Sequence, residues 1–423
     1  MENTKYLNRR QNLGSKFSRT LFIVPSGSLR MRSHSVAHRF KTASDFLYLC
    51  GVHVSEACLL IAGSKSYFLS DSIEATALWE DVNILMDDDR LKLAGMELRP
   101  FYQLKEIISD HMKEFDRVAF PIGSNEALDR LVLEQVSFTN RSRRRFTSTP
   151  LALCDSRMLI GQLRHVKEAD EICLMKEAAQ RTSRVYRKLF QECLEGRQER
   201  DVADFLESEF MKAGMSWTAY ETIVGSGDRA TTLHARATSR VLRSGEAVLI
   251  DAAGEWQGYC ADITRVIPVD AVFGKMHRQV YDIVLNAQEQ TINAVRPGIT
   301  LRYLHEMSQE LLLEGLSRYR IGGDIKELMP HGTSHWIGMD VHDPSAYVDE
   351  AGRPLQLQEG MSFTIEPGLY FREKTSAYYG IGVRIEDDVV VTGEGCEVLS
   401  SAPKQLEEIE SLRSQLNKNL DRH

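Results

Sequence analysis

Four acidic residues sit inside runs that otherwise read as buried β-strands: Asp251 in "AVLIDAAG", Asp262 in "GYCADITRVIPV", Glu366 in "MSFTIEPGLY" and Glu386 in "IGVRIEDDVVV". A carboxylate in the middle of an apolar strand is costly to bury unless it is paired or binds a cation. The first two runs read as a hairpin about the turn from Gly254 to Gly258, one acid on each arm. The later two form a second strand pair that also presents two acids. Any one of these acids alone fits a solvent-facing position or a bond to nearby backbone. Four brought together in one domain would repel one another without a cation among them.

A histidine cluster lies between the two pairs. The stretch "HGTSHWIGMDVHD", His331 to Asp343, holds three histidines among glycines, a tryptophan and two aspartates. Acids in strands beside such a cluster point to a metal site. Oxygen-rich ligation with one imidazole suits Mn²⁺, Mg²⁺ or Co²⁺ and leaves Zn²⁺ open. Two divalent ions would balance four formal negative charges, lower the pKa of water and polarise a carbonyl, which makes hydrolysis of an acyl bond the natural reaction.

The rest of the chain says what surrounds this site. At 423 residues it exceeds the size at which one core keeps growing, so two domains are expected. The first third alternates short apolar runs ("TLFIV", "ACLLIA", "SYFLS", "RVAFPIG") with helical stretches, an α/β pattern. From Lys167 the texture turns to long amphipathic helices. One runs toward Gly196; a second stacks Val202, Phe205, Leu206 and Phe210 before Gly214; a third stacks Val280, Ile283, Val284 and Ala287 before Pro297-Gly298. "GSGDRA" after Val224 fits a dinucleotide-loop pattern, but no helical stripe follows it, so that reading fails.

A net charge of -8 spread along the chain argues against a nucleic-acid partner. The one basic run, Arg141 to Arg145, reads as a solvated loop. Seven cysteines (Cys50, Cys58, Cys154, Cys173, Cys193, Cys260 and Cys396) include no CxxC pair, which suits reduced thiols. With no signal peptide in the first residues and no run of membrane-spanning length, a soluble cytoplasmic protein without a membrane partner is expected.

These residues resemble those of the pita-bread metallopeptidases, the group that includes aminopeptidase P, prolidase and methionine aminopeptidase. The similarity covers roughly Lys167 to Pro403. It implies an α/β (α+β) chain: an aminopeptidase-P-like amino-terminal α/β domain over residues 1–160, and a pita-bread catalytic domain over 161–403, its antiparallel sheet covered by helices. A charged helical tail over 404–423 follows. The family's ordered ligand set matches Asp251, Asp262, His335, Glu366 and Glu386, which implies two divalent ions, Mn²⁺ first, with Co²⁺ or Zn²⁺ as alternatives. In that resemblance Asp262 and Glu386 bridge the ions, Asp251 chelates one, and His335 and Glu366 complete the other. Glu366 also shuttles the proton, His342 and His234 meet the substrate carbonyl and its oxyanion, and His331 is a further pocket histidine. Arg384 stands as either a substrate contact or a charge partner of the carboxylates.

Within the group, "HGTSHWIG" is more similar to bacterial Xaa-Pro aminopeptidases than to prolidases, and "RRQNL", "SDFLYLCG" and "ATALW" in the first third agree. The resemblance therefore implies removal of the first residue from peptides with proline second, and a homo-oligomer, dimer or tetramer. Trp79, Trp336 and Tyr370 are assigned to the substrate pocket, with core packing as the other reading of Trp79 and Trp336. A prolidase is the alternative enzyme; a non-catalytic peptide-binding protein is the alternative class, against which five intact ligand positions count. The chain departs from the family pattern at Ser35, where an acid is usual, and in "ARATSR" after His234.

Overall fold

The computed structural model describes residues 4–71, 92–141, 150–349 and 351–420. The chain divides into two compact units, Met1–Leu163 and Arg164–His423.

The first unit is built on six strands: β1 (Thr20–Pro25), β2 (Ala57–Ala62), β3 (Lys65–Ser70), β4 (Glu97–Arg99), β5 (Arg117–Phe120) and β6 (Ala152–Asp155). They run in the order β4-β3-β2-β1-β5-β6. β1, β2 and β3 pair antiparallel, while β4, β5 and β6 join in parallel. Alternation along β1 sends Leu21 and Ile23 into one core with Leu60, Ile108 and Val132, because successive side chains of a strand point to opposite faces. Phe68 packs with Phe46 of helix Ser44–Cys50.

A helix at Thr4–Lys16, which sequence patterning did not mark, is held by two buried arginines. Arg9 donates to the Tyr48 carbonyl, and Arg10 to those of Leu49 and Ala94. The segment bearing Trp79 and residues 142–145 of the basic run lie outside the described residues.

The second unit continues with β7 (Trp217–Thr218), β8 (Ile223–Ser226), β9 (Ala247–Asp251), β10 (Gly254–Trp256), β11 (Tyr259–Cys260) and β12 (Thr264–Pro268). After these come β13 (Ser362–Ile365), β14 (Gly368–Tyr370), β15 (Gly382–Arg384), β16 (Asp387–Val391) and β17 (Cys396–Val398). They form short sheets, β12-β9-β8, β11-β10-β7, β13-β16-β17 and β14-β15. Every pairing in this unit is antiparallel.

Helices Ala169–Leu189, Glu199–Lys212, Lys275–Ala294 and Leu301–Tyr319 accompany them. The first is shorter than the sequence suggests: a capping box of Glu168 and Glu171 starts it, and the chain has left it before Gly196. The predicted stripes are buried at Val202, Leu206, Phe210, Val280, Ile283, Val284 and Ala287, while Phe205 is half-buried. Full burial of each Val, Leu, Ile or Phe among these stabilises by about 1.5–3 kcal/mol. Leu301–Tyr319 packs closely: a Cβ on Gly315 would lie 2.5 Å from Ile283 Cγ2.

The strand runs carrying the acids are not continuous. Asp251 ends β9, Asp262 lies between β11 and β12, Glu366 between β13 and β14, and Glu386 between β15 and β16. The ladders change partner at these breaks, with β13 pairing β16 and β14 pairing β15. "GSGDRA" leads from β8 into a 3-10 turn, Gly227–Thr231, as the absence of a helical stripe implied. The last helix, Leu406–Leu420, belongs to the second unit: Ile409 is fully buried and Arg413 donates to the Val269 and Phe190 carbonyls. Among the described residues no helix is long and apolar enough to cross a membrane.

Candidate metal centre

The strand breaks turn the acids toward one another. Asp251, Asp262 and Glu386 are 8%, 5% and 2% exposed, and ligand atoms of Asp262, His335 and Glu386 all lie within 4.8 Å of one another. His335 Nε2 is 3.3 Å from Asp262 Oδ2, 3.6 Å from Glu366 Oε1 and 4.0 Å from Glu386 Oε1. His335 is presented there because its backbone N–H and carbonyl bond to Thr364 Oγ1 and the Thr364 N–H, beside β13.

Buried and half-buried groups hold the remaining oxygens. The Tyr220 hydroxyl lies 2.5 Å from Asp251 Oδ1 and 2.6 Å from Asp262 Oδ1. Thr264 Oγ1 donates to Glu386 Oε2 at 2.5 Å and accepts from Arg384 Nε at 3.0 Å. Arg384 also donates to Asp251 Oδ2 at 2.6 Å and to the Tyr370 hydroxyl at 2.9 Å. The same hydroxyl is 2.9 Å from His331 Nε2. His331 Nδ1 is 3.8 Å from Glu366 Oε2.

The electrostatics follow from crowding. Burial, then the neighbouring acids, pushes Glu386 well above the usual carboxylate range. Asp251 is raised by burial against the pull of Arg384, and burial lifts Glu366 to about 7. Burial would lower His335, but Asp262 and Glu366 raise it to about 9. His331 is pushed down to about 4 by burial and by Arg384, and His342 is lowered by burial and then by His335. A set of buried carboxylates that holds protons against its ordinary tendency is a set short of positive charge.

One cavity of about 620 Å³ is lined by Asp251, Asp262, His335, Glu366 and Glu386, and also by His234, His331, His342 and Arg384. His342 meets His335 edge to face at 4.3 Å. Two residues assigned to the pocket from sequence stand elsewhere. Trp336 is 1% exposed and packs among Leu304, Phe363 and Ile365, because its bridge to Phe363 turns the indole into the core; the pocket assignment is corrected to packing. Tyr370 is also 1% exposed, behind the wall, where its hydroxyl holds His331 and Arg384.

Sequence reasoning passed over Tyr220, since a single tyrosine in a polar stretch carries no pattern. It also passed over the anchor of the histidine loop. Asp343, fully buried, accepts from Arg164 at 2.5 Å and from Lys167 at 3.1 Å, and Arg164 reaches Asp340 at 2.7 Å. The one available signal was the pair of charges in "RHVK" opening the second unit.

Both parts of the chain match known protein families. The profile of metallopeptidase family M24 matches residues 173–393, and that of the aminopeptidase P N-terminal domain matches residues 6–119. The chain is 31% identical over 401 residues to the Xaa-Pro aminopeptidase of Escherichia coli K12, covering 90% of each sequence. To the mitochondrial intermediate cleaving peptidase 55 of Arabidopsis thaliana it is 29% identical over 418 residues, 96% of this chain and 82% of that one. The solved aminopeptidase PepP of Pseudomonas aeruginosa superposes with a TM-score of 0.89 at 30% identity, over 99% of both chains.

Proposed function

Because the chain belongs to metallopeptidase family M24, behind an aminopeptidase P N-terminal domain, we propose that it is a metal-dependent Xaa-Pro aminopeptidase, removing the first residue from peptides whose second is proline. The observation that carries this reading is the convergence of Asp251, Asp262, His335, Glu366 and Glu386 on one cavity shared with three further histidines.

The donor set fits a pair of divalent ions: four carboxylates and one imidazole, with Glu386, Asp251 and Glu366 raised chiefly by burial. Asp251, Asp262, His335, Glu366 and Glu386 would together hold the ions; Mn²⁺ is the expected metal, with Co²⁺ or Zn²⁺ as substitutes. Bound there, the ions would supply Lewis acidity that activates water and polarises the scissile carbonyl.

The chain's own groups do the proton work. Glu366, beside His331 and 3.6 Å from His335 Nε2, is placed to take a proton from the attacking water and deliver it to the departing proline nitrogen. His331, kept neutral by burial and Arg384, lies beside it. His234 and His342 face the same cavity and are suited to hydrogen-bond the carbonyl as it gains negative charge. Arg384 acts as a charge partner of Asp251. Proline's nitrogen has no hydrogen to offer, so a site for it must recognise shape.

The seven free cysteines support a reducing compartment, and we take it to be the cytoplasm. Assembly as a dimer or tetramer is part of the reading on resemblance alone, and sedimentation tests it.

Purified protein loaded with Mn²⁺ should release the first residue from an Xaa-Pro-Xaa peptide. No release at any metal loading rejects the proposal. Cleavage confined to Xaa-Pro dipeptides makes it a prolidase.

A further inference from the structure

The segment carrying His234 leaves β8 at Ser226, turns through Gly227–Thr231 and reaches Thr238 before the chain enters β9. It is seated against its surroundings: a Cβ on Gly382 would lie 2.0 Å from the Ala230 carbonyl oxygen, and one on Gly225 would lie 2.8 Å from that of Arg229. Its own backbone supplies little closure beyond Val224 N–H to the Ala235 carbonyl at 3.1 Å and a bridge between Ile223 and Arg236.

Arg229 donates to the Arg236 carbonyl at 2.7 Å and the Arg200 N–H to that of Thr238 at 3.0 Å, but the group that reaches both ends of the segment is Glu199, the first residue of helix Glu199–Lys212, which is fully buried. Glu199 Oε1 accepts from the Ser226 N–H at 2.9 Å and its hydroxyl at 2.8 Å. Oε2 accepts from the Thr238 N–H at 3.1 Å and its hydroxyl at 2.6 Å. Arg229 Nε lies 3.2 and 3.1 Å from the two oxygens. One carboxylate thus joins the beginning, middle and end of the segment, with His234 between its last two anchors. Every partner is a donor, and only a group with two acceptor oxygens satisfies them all; a carboxamide would aim an N–H at donors on one side.

We propose that Glu199 is a positioning residue for His234: by clamping Ser226, Arg229 and Thr238 it holds the histidine where substrate enters the cavity. The role of His234 toward substrate rests on the function proposed above; the clamp itself does not.

The test is Glu199→Gln in the full chain with Mn²⁺, followed by hydrogen exchange and by turnover of an Xaa-Pro-Xaa peptide. Exchange should rise about tenfold across residues 227–238 while helices Ala169–Leu189 and Lys275–Ala294 keep their protection. Bound metal should be unchanged, kcat should fall about tenfold and KM should move less than about twofold, because the contact acts on the developing oxyanion. In a His234→Ala background the same substitution should change kcat less than about twofold, since it acts through that side chain.

Unchanged exchange in the segment, or an equal loss of kcat with and without His234, overturns the proposal. Should Glu199→Gln fail to fold, Thr238→Val removes one donor at similar volume and must show the same segment-confined rise in exchange; its absence also overturns it. If the wild-type chain cleaves no Xaa-Pro peptide, the functional reading falls while the exchange measurement still decides the clamp.

Discussion

Arg384 reaches Asp251 at 2.6 Å with both side chains nearly sealed from water, so among the described residues the one buried guanidinium lining the cavity is committed to one of its acids. The same arginine bonds Thr264 and Tyr370, and through them braces Glu386 and His331.

Replacing it should therefore act differently with and without metal. Arg384→Ala leaves a buried acid without its partner, a defect that costs about 3–5 kcal/mol. Excess Mn²⁺ should offset part of this by restoring positive charge beside Asp251. Thermal melts in chelator and in Mn²⁺ check this: the loss of Tm should be larger in chelator, and equal losses count against the electrostatic account.

Glu366→Gln keeps the volume of the side chain while removing its capacity to carry a proton. Turnover should fall about 10²–10⁴-fold, in line with loss of a general acid–base group. Circular dichroism and the melting curve should stay close to wild type. Turnover within about threefold of wild type would remove Glu366 from its role.

Asp343 supplies a pH prediction. Burial alone would raise its carboxyl, but Arg164 and then Lys167 hold it below the ordinary range. A carboxyl depressed in the folded state contributes stability that is complete above its unfolded pKa, about 3.9, and is lost as pH falls through the lower folded value. The wild type should lose stability in that acid window, and Asp343→Asn should be less stable at neutral pH with a shallower dependence below about pH 4. Denaturant melts from pH 2 to 7 measure both.

Trp336 separates packing from substrate binding. Its ring meets His165 at 4.3 Å and Phe363 at 5.9 Å. Trp336→Phe should cost about 1–3 kcal/mol of stability through lost contacts. KM for a proline-containing peptide should move less than about twofold, whereas a pocket wall would show its loss in KM.

The acids of the site were legible because a charged residue in an apolar run has few reasons to be there. Asp251, Asp262, Glu366 and Glu386 carried that signal one by one, and the histidine stretch carried it as a cluster. Helix stripes such as Val280, Ile283, Val284 and Ala287 were legible because periodicity is local. Tyr220, Glu199 and Asp343 were not, because each acts on partners distant in the chain: Asp343 lies 176 positions from Lys167. Trp336 shows the same limit from the other side, since its neighbours in "HGTSHWIG" gave no sign of which way the indole would turn.

The linear order of residues by itself determined the chemistry on offer: which strands carry acids, which loop carries imidazoles, and that these together call for cations. Tertiary structure alone decided how that chemistry is held. It broke the strands at the acids, turned Trp336 inward, and brought Arg384, Thr264 and Tyr220 within hydrogen-bond distance of those acids. The reason is physical: composition and periodicity are properties of neighbouring residues, whereas a hydrogen bond to a buried carboxylate depends on which distant segments the packed core brings within 3 Å.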